Sequence, residues 1–99
     1  MRDPEILQRV KDALARISGV APGHAVELRI PPYSAIQCVE GPKHTRGTPP
    51  NVVEMNADVL FSLLAGTGDW QALISTGEIH ASGERADLSA LFTQLAKRK

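Results

Sequence analysis

A change of hydrophobic period near residue 25 constrains this chain more than any other feature. Through residues 3–19, Ile6, Leu7, Val10, Ala13, Leu14 and Ile17 recur at helical spacing and make one apolar stripe. From residue 25 the period falls to two: Val26, Leu28 and Ile30 alternate with Glu27 and Arg29. A helix with one apolar stripe and a strand with one apolar face each need a partner to cover them. With 99 residues, 42% hydrophobic and 22% charged, the expected solution is one domain over residues 1–99 in which helices pack on a sheet.

Local signals place the remaining elements. Asp3 is an N-cap, Pro4 suits the first helical position, and Gly19 is expected just past the helix end. Glu5 with Arg9, and Asp12 with Arg16, stand four apart on the wet side. Pro31-Pro32 stops the first strand, and Ala35–Val39 reads as a second, antiparallel to it. Residues 41–50 hold three prolines and two glycines and read as a long loop. Asn51–Asn56 is a third strand and Ala57–Ala65 a helix ended by Gly66. Asp69 caps a short helix from Trp70 to Gly77, and Glu78–Ser82 is a fourth strand with Ile79 and Ala81 facing one way. Ala86 or Asp87 opens the last helix, whose stripe is Leu88, Leu91, Phe92 and Leu95. Strands and helices mix without repeated βαβ units. The expected class is α+β, a mixed, mainly antiparallel sheet of four to five strands with helices on one face.

Composition removes several functions. The 11 basic and 11 acidic residues balance, which argues against a nucleic-acid surface. No apolar run approaches the roughly 20 residues of a membrane helix, so integral membrane association is not expected. One cysteine, Cys38, leaves no internal disulfide and no cysteine cage for zinc. His24 and His80 lack ligand spacing to another His, Asp or Glu, so neither metal nor cofactor is expected. These features together read as a cytoplasmic chain without catalytic machinery. Cys38 and His44 resemble a nucleophile and base only on paper, because Cys38 falls in a buried strand with no third orienting residue.

The segment from Asn51 onward resembles the sterol carrier protein 2 family, closest to its short bacterial relatives. The resemblance rests on Asn51-Val-Val-Glu-Met-Asn, Val59 to Gly66, Asp69 to Gly77, Glu78 to Gly83 and Leu88 to Phe92, in that order and spacing. Similar domains form the C-terminal part of proteins resembling mycothiol-dependent maleylpyruvate isomerase. The resemblance implies non-catalytic binding of a fatty-acyl or sterol-like molecule in a hydrophobic cavity between sheet and helices. This chain departs from larger members at 41–50, where a Pro-rich loop stands in place of a further strand.

Size limits such a cavity. A ligand pocket takes on the order of 300 to 1,000 Å³. At roughly 24 cal/mol per Å³, even the small end costs about 7 kcal/mol when empty and sealed. A small domain has only about 5 to 15 kcal/mol of stability in total. The expectation is therefore a groove, or a small collapsible cavity, that widens around an acyl chain. The apolar stripes nominate Met55, Leu60, Leu64, Trp70, Leu73, Leu91 and Leu95 as its lining, although such stripes need only an ordinary core to explain them. Lys43, His44 and Arg46, in a stretch without acids, are candidates to hold an anionic head group. Two other readings compete: an interaction module that forms a homodimer through an uncovered sheet edge, and an accessory domain of a thiol-dependent isomerase-like system in which Arg46 or Arg85 meets a carboxylate.

Overall fold

A computed structural model of the chain describes residues 3–41 and 51–97. The elements follow in the order α1 (Pro4–Val20), β1 (Val26–Ile30), β2 (Ser34–Cys38), β3 (Asn51–Met55), α2 (Ala57–Ala65), α3 (Trp70–Thr76), β4 (Ile79–Ser82) and α4 (Ser89–Lys97). The four strands lie in the order β2-β1-β3-β4. β1 and β2 are antiparallel, as are β3 and β4, and β1 and β3 run parallel. The α+β class and the mixed sheet expected from the period change are both present.

One face of the sheet holds the core. Val26, Leu28, Ile30 and Val53 are fully buried, with Met55 and Ile79 beside them. The opposite face carries Glu27, Arg29, Gln37, Glu54 and His80, and there the Arg29 guanidinium pairs with Glu27. Val10, Leu14 and Ile17 of α1, Leu60 and Leu63 of α2, and Phe92 and Leu95 of α4 complete a single hydrophobic cluster over the apolar face.

Asp3 caps α1 as expected, accepting from the amides of Glu5 at 2.8 Å and Ile6 at 3.2 Å. Gly19, however, lies inside α1. The helix runs on to Val20 and ends at Ala21, whose backbone is not left-handed, so the terminus never needs a glycine. Arg9 lies over the Phe61 ring, 4.1 Å from its centroid, which ties α1 to α2. α4 begins at Ser89 rather than at Ala86 or Asp87. Ala86 and Leu88 are drawn into the core, and the Asp87 carboxylate accepts the Ser89 amide at 2.9 Å. Ala81 shares the face of Ile79 through its register with Val53, yet it is exposed, because β4 is an edge strand.

β2 starts at Ser34 and stops at Cys38, one residue earlier at each end than expected, because Val39 turns the chain with φ +68°. That conformation is strained for a β-branched residue. It is held by two backbone bonds to the α1–β1 connection: the Val39 amide to the Ala21 carbonyl at 2.8 Å, and the Ala25 amide to the Val39 carbonyl at 3.0 Å. Gly23, with φ +143°, packs directly beneath; a Cβ there would stand 2.2 Å from the Val39 carbonyl oxygen. Buried Asn51 locks the neighbouring region. Its side chain donates to the Ala25 carbonyl at 2.8 Å and accepts the Arg85 amide at 2.9 Å.

Two glycines in the same short stretch should therefore respond in opposite senses to alanine. Gly23→Ala forces both a disallowed backbone and a main-chain clash, and is expected to lose about 3 kcal/mol or more in urea unfolding. Gly19→Ala meets nothing within 4 Å and should gain about 0.5 kcal/mol from helix propensity.

Candidate functional site: a cleft between α2, α3 and α4

The connection between α2 and α3 is wound tightly. Gly66, at φ +82°, ends α2 in the left-handed conformation that favours glycine, and its amide returns to the Leu63 carbonyl at 3.2 Å. The Thr67 and Gly68 amides both donate to the Ser62 carbonyl, at 3.0 and 2.9 Å. Gly68 lies so close to Ser62 that a Cβ would stand 2.5 Å from its hydroxyl. Asp69 then caps α3 through the Ala72 amide at 3.2 Å. The short, rigid link turns Trp70 inward, where it stacks on Phe92 of α4 with ring centroids 6.1 Å apart and planes at 27°.

Above this pair stand the C-terminal end of α2, its link to α3 and one face of α4. They leave a cleft of about 270 Å³, walled chiefly by Leu63, Trp70, Phe92, Thr93, Ala96 and Lys97. The cleft opens to solvent, so its apolar floor is not a sealed void. The gap is narrow at one point, since a Cβ on Gly66 would come 3.4 Å from the Ala96 methyl. On the far side of α4 the Arg16 guanidinium donates to the Leu95 carbonyl at 2.6 Å, which fixes that helix against α1.

The seven apolar residues nominated from the sequence do not gather at this cleft. Trp70 forms its floor. Leu60 and Leu95 are fully buried in the common core, and Leu64, Leu73 and Leu91 are half-buried at the margin of that core. Met55 is buried under β3 and touches a different, more polar depression of about 300 Å³ that also includes Glu54, Glu78 and His80. Lys43, His44 and Arg46 lie outside the described residues. The structure adds Leu63, Thr93, Ala96, Ser89 and Lys97, which a search for the most apolar stripe passes over. Their signal is the column Ser89, Thr93, Lys97 at four-residue spacing, one step around the helix from Phe92 and Ala96.

Other chemistry-bearing groups are dispersed. Cys38 is fully buried, and burial pushes its thiol up to about 11. Asp87 is held below the usual carboxylate range by its hydrogen bond with Ser89. His24 bonds the Gln37 side chain at 2.9 Å, and His80 is exposed on β4. Arg85 is engaged through its amide by Asn51, and its side chain lies over Gly41. Among the described residues no three His, Cys, Asp or Glu side chains gather to hold a metal, and no helix is long and apolar enough to cross a membrane.

A mixed sheet with one apolar face and helices packed over that face is the architecture of a sterol carrier-like α+β protein. The model of the bacterial SCP ortholog family matches residues 3–93, and the chain belongs to that family. The match does not bear on the relation to isomerase-like proteins. No curated protein matches the chain.

The Cys38 environment has a measurable consequence. The native thiol keeps its proton to about pH 11, whereas the unfolded thiol releases it from about its ordinary value of 9.0. The stabilisation is thus complete below pH 9 and is lost as pH rises toward 11. Urea unfolding of wild type should weaken over this range more steeply than that of Cys38→Ala. At pH 7.5 iodoacetamide should label Cys38 only after unfolding.

Proposed function

We propose that this protein is a non-catalytic carrier of a hydrophobic or amphipathic small molecule, with a fatty-acyl chain as the best-fitting guest. Membership of a sterol carrier-like family supports the class of activity. The observation that carries the reading to a place is the cleft of about 270 Å³ floored by Leu63, Trp70 and Phe92. Its size falls just under the roughly 300 Å³ lower bound of ordinary ligand pockets. That favours a single flexible tail over a rigid fused-ring molecule.

The energetics are consistent with this. Each buried methylene contributes about 0.8 kcal/mol. A tail laid along the apolar side of the cleft gains part of this without creating a cavity first, because the cleft is already open to solvent. Only displacement along the α2–α4 seam is needed for a longer tail, and the core beneath stays closed. The remaining nominated residues, Leu64, Leu73 and Leu91, stand at the margin of the core and do not line the cleft.

Trp70 is the only tryptophan in the chain, so its emission reports occupancy directly. Titration with decanoate is expected to shift and saturate Trp70 fluorescence. Ala96→Phe, which fills the narrow point of the cleft, should abolish that change while the melting temperature stays within a few degrees. Decanoate binding that leaves both Trp70 emission and the amide shifts of residues 63–70 and 89–97 unmoved would rule the site out.

A further inference from the structure

We infer that the anionic head of the guest is held at the C-terminal end of α4 by Lys97, and that the cleft thereby selects anionic amphiphiles over neutral or cationic ones with the same tail. This rests on the carrier reading above and deepens it. α4 presents Ser89, Thr93 and Lys97 along one face at four-residue intervals, and all three line the cleft beside Phe92 and Ala96. Eight residues of helix span about 12 Å, so the cleft has an apolar floor and a polar rail of that length. Such a slot suits a molecule with one greasy side and one polar end.

The charges at the two ends of the rail differ. At the Ser89 end the Asp87 carboxylate already occupies the first amide of α4 at 2.9 Å, and a second anion there would meet it. At the other end stands Lys97, the single ionisable group among the described residues that line the cleft. A lysine in a last turn ordinarily offsets the carbonyls of its own helix terminus. Here Arg16, reaching from α1, already satisfies the Leu95 carbonyl at 2.6 Å. Near the end of α2 the Leu63 carbonyl accepts the Gly66 amide, and the Ser62 carbonyl accepts those of Thr67 and Gly68. Lys97, exposed and lining the cleft, is placed to give a charge-assisted hydrogen bond to a carboxylate. Thr93 uses its hydroxyl proton on the Ser89 carbonyl at 2.9 Å, which leaves its oxygen as an acceptor only. It contributes no competing donor and does not itself bind the anion.

Three probes with one ten-carbon tail separate the contributions: decanoate, decanol and decyltrimethylammonium, each titrated into the full chain and followed by Trp70 emission and amide chemical shifts. Decanoate should bind about tenfold more tightly than decanol, the range of a hydrogen bond to a charged group, and its affinity alone should fall with added salt. Lys97→Glu should remove that preference and favour the ammonium, and Lys97→Gln should bring decanoate to the level of decanol. The double variant Lys43→Glu/Arg46→Glu should leave the decanoate preference within about twofold. Equal binding of the three heads, or loss of preference in the Lys43/Arg46 variant but not at Lys97, overturns this inference while the carrier reading stands. Failure of all three probes to bind overturns both.

Discussion

The structure depends on burying one face of a four-stranded sheet under a single layer of helices. Val26, Leu28, Ile30 and Val53 lose all contact with water, and at roughly 25 cal/mol per Å² of apolar surface their removal is the largest favourable contribution available to so short a chain. The other face keeps Glu27, Arg29, Glu54 and His80 in water. With one helical layer, the interior has no thickness to spare. Leu14, Leu60 and Leu95, from α1, α2 and α4, are buried in it, and the cleft lies at its rim, between the α2–α3 link and one face of α4.

That geometry would reconcile the proposed binding site with marginal stability. A sealed hole of 270 Å³ would cost about 6 kcal/mol at the scale measured for engineered cores, comparable with the whole stability of a small domain. A cleft at the rim of the core avoids most of this, since it is already open to solvent. The rigid parts lie immediately around it: the Gly66–Gly68 link wound on Ser62, the Trp70–Phe92 stack, and α4 held by Asp87 at one end and Arg16 near the other. These contacts fix the floor and one wall and leave the seam between the helix ends as the place where the chain can give way.

The reactive side chains are kept apart from this seam. Cys38 is buried on the far strand with a thiol too weakly acidic to act as a nucleophile at neutral pH, and among the described residues His80 is on the opposite face and His24 precedes β1. The cleft itself contributes apolar atoms, two hydroxyls and one ammonium. Such a set suits the proposed role of binding rather than of chemistry.

The sequence alone determined the element order, the strand facing and the caps, because these follow from local rules acting over a few residues. The shift from helical to alternating period placed α1 and β1, Asp3 and Asp69 announced their helices, and Gly66 and Gly77 ended theirs. Where it misled, a longer-range contact had overridden a local preference. α1 passes through Gly19 because Ala21 can end it without a left-handed turn, and α4 starts late because the core draws in Ala86 and Leu88. The site was the least legible part. An apolar stripe identifies residues that face inward, but it does not distinguish Leu60 and Leu95, which meet other side chains, from Trp70, whose edge remains open. Only tertiary structure decides that, since an opening is the space left between packed elements, and its wall on α4 is made of Ser89, Thr93, Ala96 and Lys97, residues that no hydrophobic pattern selects.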